Sequence, residues 1–191
     1  HPSAPNTLKE FIAYAKSNPD KLNMSYAASG GLLNFHILMN AANIKFLPIN
    51  YSGAPQAVTS VLAGDTIGTV TTAGNVVPLI KAGKMKALAV TGDKRSSVLP
   101  DVPTFAEAGL REFNPTNWFV LLAPSKTPRD IVAKLNAQFR KAQQAPEAIS
   151  MLEKVNIDMF STTVDEAEKF VRDEAALYGK AVKDSGIKVG N

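Results

Sequence analysis

Asn23-Met24-Ser25-Tyr26-Ala27-Ala28 reads as a short strand, Ser29-Gly30-Gly31 as a turn, and Leu32 to Ala42 as a buried helix. The order strand, glycine turn, helix decides the fold class because it recurs. Lys45 to Asn50 reads as a strand, Ala54 to Leu62 as a helix, and Asp65 to Thr71 as a strand rich in Thr, Val and Ile. Asn75 to Ala82 is then helical, Gly83 closes it, and Lys86 to Thr91 reads as a further strand. This alternation predicts an α/β fold with a parallel sheet covered on both faces.

Upstream, Thr7-Leu8-Lys9-Glu10 has the spacing of a capping box, and Leu8, Phe11, Ile12 and Ala15 recur at helical spacing until Asn18-Pro19. Downstream, residues 93–115 break the pattern with Pro100, Pro103 and Pro115, leaving a short helix around Thr104 to Ala108. That stretch reads as a crossing between lobes. Trp118 to Ala123 reads as a strand, and Thr127-Pro128 supplies a cap and a first-turn proline for a helix from Arg129 to Gln143. A helix from Pro146 to Val155 follows. Thr163-Val164-Asp165-Glu166 then opens a last helix that runs to about Lys183, with Gly186 as its stop. There is no internal repeat and no low-complexity tract.

Composition narrows the function classes. Of the 191 residues 45% are hydrophobic and 20% charged, the balance of a globular domain whose folding comes from burial. The absence of cysteine removes disulfides, thiolate nucleophiles and sulfur-ligated metals while leaving oxidising compartments open. The net charge of +4 is spread along the helices beside acids. The densest basic stretch, Lys81, Lys84, Lys86, Lys94 and Arg95, carries no aromatic for a base to stack on, so nucleic acid is not expected as a partner. No apolar run is long enough to cross a bilayer and nothing near His1 reads as a signal peptide, so an exported form would have lost its signal.

Candidate chemistry is sparse. His36 sits among Phe35, Ile37 and Leu38 on the expected helix and reads as a hydrogen-bonded core histidine; no carboxylates stand at ligand spacing, so neither a metal nor a cofactor is expected. Ser29 lies seven residues before His36 in the turn, with no third group to orient the imidazole, and no Gly-x-Ser-x-Gly or nucleotide fingerprint occurs. An esterase built on Ser29 and His36 is therefore a distant reading. Two turns remain. Ser29-Gly30-Gly31 lets the backbone approach a ligand at a helix start, where free N–H groups favour an anion. Thr71-Thr72-Ala73-Gly74 holds the same place after its own strand and adds two hydroxyls. A plain tight turn is the bland alternative for each, but two such turns at the carboxyl edge of one parallel sheet face one crevice.

Several phrases then resemble one family, the solute receptors of tripartite tricarboxylate transporters, the Bug or TctC-like proteins. Tyr26-Ala27-Ala28-Ser29-Gly30 followed by His36 resembles the family's Ser-Gly-x-Gly-Ser-x-x-His loop, and Tyr51-Ser52-Gly53-Ala54 resembles its Tyr-Lys-Gly-Ala turn. Arg95 through Leu99-Pro100-Asp101-Val102-Pro103-Thr104, with Glu107-Ala108-Gly109 after it, is the strongest stretch. Trp118, Leu122-Ala123-Pro124, Thr127-Pro128 and Leu135-Asn136 continue the match in one register.

The resemblance implies a type II periplasmic-binding-protein architecture: two lobes joined at a hinge, closing on a small organic acid and delivering it to membrane permease subunits, without catalysis. It implies ligand contacts from Ala28, Ser29, Gly30, Gly31, Leu32 and Leu33, from Tyr51, and from Thr71, Thr72, Ala73 and Gly74. Two departures stand out. Leu32 and Leu33 replace the family's second glycine and serine, and Ser60, Ile67 and Thr71 stand where acids are usual, which points to a bulkier, more apolar acid, aromatic ones included, rather than an amino acid. Family proteins also carry an additional N-terminal segment. Residues 4–116 would then form the complete second lobe, and 117–191 the C-terminal part of an incomplete first lobe whose helices expose an apolar face. A homodimer or a separate N-terminal lobe would cover that face. The alternative function is a structural or regulatory module that dimerises or binds a partner through those helices.

Overall fold

The structure is a computed structural model that describes residues 4–115, 117–154, 157 and 159–185. The chain divides into two compact units, His1–Thr116 with Asp184–Asn191, and Asn117–Lys183.

In the first unit, α1 (Leu8–Ser17) is followed by β1 (Asn23–Ala27), α2 (Ala28–Ala42), β2 (Leu47–Tyr51), α3 (Ala54–Ala63), β3 (Gly68–Thr69) and α4 (Ala73–Lys81). The strands are parallel in the order β2-β1-β3. Because β1 is central, its alternate side chains sort the helices between two faces. Met24 packs in one core with Leu8, Phe11 and Ala15 of α1, Phe35, Leu38 and Ala42 of α2, and Phe105, Leu110 and Phe113. Phe35 is edge-on to Tyr26 at 5.9 Å and to Phe46 at 5.0 Å. On the opposite face Ser25 is buried and its hydroxyl donates to Ala57 O of α3 at 2.8 Å. Behind it Val58 and Val61 pack with Val76, Leu79, Ile80 and Met85. Helices on both faces of a parallel sheet are the α/β arrangement expected from the alternation.

Strand β2 lies at an open edge. Leu47 N–H donates inward to Leu22 O at 2.7 Å, so the next residue, Pro48, puts its missing donor on the side away from β1.

Helix starts follow the sequence closely where a side chain caps them. Thr7 Oγ1 accepts from Glu10 N at 3.1 Å, while the Glu10 carboxylate accepts from Asn6 N at 2.9 Å, one residue before the reciprocal partner a capping box uses. Strands depart more. The strand expected over 65–71 shrinks to Gly68–Thr69 because Asp65 N and Thr66 N both donate to Ser60 O at the end of α3. The strand expected over 86–91 is reduced to one bridge, Val90 to Thr104, whose hydrogen bonds go to Pro103 and Phe105 and not to the sheet. The short helix expected at 104–108 is a single capped turn, with Thr104 N donating to Glu107 Oε2 at 2.8 Å and Glu107 N to Thr104 Oγ1 at 3.1 Å.

The second unit contains α5 (Arg129–Gln143), α6 (Pro146–Lys154) and most of α7 (Val164–Ser185). Pro128, not Thr127, is the residue before the first turn of α5, and no side chain caps it. Thr163 and Glu166 close a reciprocal box at the start of α7, with Thr163 N to Glu166 Oε2 at 2.8 Å and Glu166 N to Thr163 Oγ1 at 3.3 Å. Trp118 is edge-on to Phe170 at 5.4 Å and donates from Nε1 to Glu174 at 2.7 Å. Burial, then the Glu174 charge, raises the Tyr178 hydroxyl above its ordinary pKa. The expected strand Trp118 to Ala123 does not form: the described residues of this unit include no strand to pair with it, and Phe119 is 86% and Leu122 75% exposed. None of the described residues 117–183 is fully buried. The expected end at Val155 and stop at Gly186 lie outside the described residues.

Candidate ligand site

The site is built at the carboxyl ends of the strands. After β1 the chain enters α2, which packs with Met24 on one face of the sheet, and after β3 it enters α4, which packs with α3 on the other, so the connections leaving the neighbouring strands β1 and β3 part to opposite faces. This is the topological switch point of an open α/β sheet, where a crevice forms above the strand ends. Ala27 pairs with Tyr51 and Ser25 with Thr69. Carrying the second register two residues further brings Thr71 level with Ala27.

Helix α2 starts one turn earlier than the sequence suggested. Ser29, Gly30 and Gly31 form its first turn instead of preceding it, and the change of direction falls on Ala28, whose φ is +62°. An alanine in the left-handed region stores roughly 1–2 kcal/mol of strain. The structure tolerates this where the strand must turn at once into the helix. Gly31 is needed for a different reason: a Cβ there would stand 3.1 Å from Tyr26 Cβ, so the glycine lets α2 settle on β1. A Cβ on Gly30 would meet no atom within 4 Å, because that residue faces open space. Leu32 and Leu33 follow, both half-buried.

All three helices that leave the sheet begin without a side-chain cap: α2 after Ala27, α3 after Gly53 and α4 after Thr72. Their first N–H groups are left for solvent or a ligand, with the positive end of each helix dipole behind them. By contrast, α1 and the Thr104 turn of the same unit are capped by threonine side chains. Thr71 and Thr72 stand before α4, and Ala73 and Gly74 open its first turn. Asn75, not singled out from the sequence, donates from Nδ2 to Thr71 Oγ1 at 2.9 Å and to Thr72 Oγ1 at 3.0 Å. Its signal was spacing alone, three and four residues after two threonines at a helix start.

Register thus sets the α2 and α4 starts at the carboxyl ends of the neighbouring strands β1 and β3, with Tyr51 at the end of β2. Tyr51 ends β2 on the far side of β1 and lines a shallow concavity of about 300 Å³ with Gln56, Thr59, Ser60 and Asp65. A larger concavity of about 700 Å³, lined by Lys16, Asp20, His36, Asn40, Asn43 and Lys45 among others, lies at the amino-terminal edge of the sheet. His36 is half-buried there, with no hydrogen bond to another described residue, and is not the satisfied core histidine expected. Among the described residues no group of three His, Cys, Asp or Glu is placed to hold a metal. No described helix is long and apolar enough to cross a membrane.

A family model described as tripartite tricarboxylate transporter family receptor, TctC, matches residues 1–187. The chain belongs to this receptor family. A curated relative from Cupriavidus necator, described as a UPF0065 protein in the gbd 5′ region, is 32% identical over 182 residues, covering 91% of this chain and 54% of its own length. Among solved structures, R. palustris Rpa4515 with adipate superposes with a TM-score of 0.78 at 26% identity, covering 96% of this chain and 62% of that one. The periplasmic binding protein BugD gives 0.74 at 27%, covering 96% and 63%. The type II binding-protein fold inferred for the TctC-like chain stands on these superpositions. This TctC-family chain spans about half the length of the curated relatives it matches.

Proposed function

We propose that this chain is the ligand-reading part of a periplasmic solute receptor that captures a small organic acid for a tripartite transporter and catalyses no reaction. The observation that carries this reading is that two uncapped helix starts, α2 and α4, follow the adjacent strands β1 and β3 in a chain of the receptor family. Backbone N–H groups and hydroxyls there suit a carboxylate. Each charge-assisted hydrogen bond contributes about 1.5–3 kcal/mol, so a handful suffices for the roughly 8 kcal/mol of micromolar binding. Ala28 to Leu33 and Thr71 to Gly74 are the contacts we assign, with Tyr51 outside the inner ring. Leu32 and Leu33 favour an acid with an apolar body. We assign residues 4–116 to the second lobe and residues 117–191 to the C-terminal part of a first lobe that further polypeptide completes; membrane permease subunits receive the acid.

A second reading is favoured by the second unit, which has no fully buried residue among those described. There the chain is a module whose helices pack against another copy or another protein. Native mass spectrometry of the chain with adipate, malate, benzoate, glutamate and aspartate separates the two. A monomer carrying adipate or benzoate supports solute capture with apolar preference. Glutamate or aspartate bound best refutes the apolar preference, and a dimer indifferent to all five acids supports the second reading and refutes the first.

A further inference from the structure

Thr71 and Thr72 share one amide. Asn75 Nδ2 donates to both hydroxyl oxygens, at 2.9 and 3.0 Å, and a hydroxyl that accepts in this way retains its own proton for an acceptor elsewhere. Thr72 precedes the first turn of α4, yet its side chain makes no capping bond to the helix backbone, so the usual use of such a hydroxyl is not taken up. Both threonines stand at the crevice where the connections from β1 and β3 part.

We propose that Asn75 is a positioning residue that sets the Thr71 and Thr72 hydroxyls as a pair of donors, making the α4 side of the crevice selective for an acceptor-only group, an ionised carboxylate. The proposal rests on the receptor reading above and adds to it the residue that fixes the sign of the site. No acid occurs between residues 27 and 33 or between 71 and 75, so an ammonium placed at the same spot finds no carboxylate among these residues to offset its charge.

The test titrates the isotope-labelled chain with the same five acids and follows backbone amide shifts at residues 71–75 in the wild type, Asn75→Asp, Asn75→Leu and Thr71→Val. Aspartate keeps the shape of asparagine but accepts from both hydroxyls and consumes their protons. It also suits the first turn of a helix, where a negative charge is favourable. A merely structural Asn75 therefore predicts that Asn75→Asp melts at the same or a higher temperature with affinity unchanged. The proposal predicts retained melting, acid affinity lower by about tenfold in Asn75→Asp, and a loss of a few-fold in Asn75→Leu, which removes the bonds without adding charge. In the Asn75→Asp background, Thr71→Val then costs nothing further. If the wild type binds an acid and both Asn75 variants bind it as tightly, the proposal is overturned and the receptor reading stands. If the wild type binds none of the five, the claim that this chain binds an acid by itself falls and takes the proposal with it.

Discussion

Gly31 and Tyr26 stand so close that a methyl group on Gly31 would lie 3.1 Å from Tyr26 Cβ, which fixes how far α2 sinks onto β1. Its neighbour Gly30 meets nothing within 4 Å. The same substitution therefore has opposite signs one residue apart. Gly30→Ala stabilises the chain by roughly 0.5–1 kcal/mol through helix propensity alone. Gly31→Ala destabilises it by about 1–2 kcal/mol, because the root of the Tyr26 side chain cannot swing aside. Urea unfolding midpoints of the two variants check this; equal shifts in one direction would contradict the packing.

Ala28 carries the strand-to-helix turn at φ +62°. Glycine removes the steric penalty there at the expense of a more disordered unfolded chain, and the first effect is larger. Ala28→Gly should raise stability by about 0.5 kcal/mol, whereas Ala28→Val, branched at Cβ, should lower it by about 2 kcal/mol or more. Thermal melts that rank valine above glycine would show that the turn is made elsewhere.

Acid sensitivity is written into Glu107. Its Oε2 accepts from Arg95 Nε and from Thr104 N, both at 2.8 Å, and these bonds, the arginine first, hold its pKa below the ordinary 4.5. Glu166 is lowered in the same direction by the Thr163 N–H. A carboxylate with a depressed folded pKa stabilises fully above its unfolded value and loses that contribution as pH falls through the folded one. Stability should therefore decline below about pH 4.5. Glu107→Gln should show a shallower decline, measured as urea midpoints across that range. An unchanged slope in the variant would mean that other groups carry the acid response.

With no fully buried residue described between 117 and 183, the second unit has little to hold its amides closed. Hydrogen exchange in α5 and α7 should be faster than in β1 and α2 by orders of magnitude. Trp118, the sole tryptophan, reports on this unit only, so its fluorescence should change at lower urea than the far-ultraviolet signal. Coincident transitions would show that the two units unfold together.

Helices were legible in the sequence because their signals are local. Thr7 with Glu10 and Thr163 with Glu166 announce α1 and α7 from within four residues. Strands β1 and β2 were legible too, but the later strands were not, because a strand exists only where a neighbour accepts its hydrogen bonds. Residues 86–91 and 118–123 have the composition of strands and pair with almost nothing. The two turns that mark the proposed site were visible as glycine- and threonine-containing breaks after a strand. The detail of the site was not: nothing marks Ala28 as left-handed, and Asn75 acts through two threonines whose roles are set only once α4 has formed.

A sheet edge with an unbroken row of donors is a template on which any extended chain can lay down one more strand. Pro48 deletes one of the two outward-facing donors of β2. A newcomer would lose a bond in mid-register and meet a ring in its place. Lateral growth is thus disfavoured beyond β2.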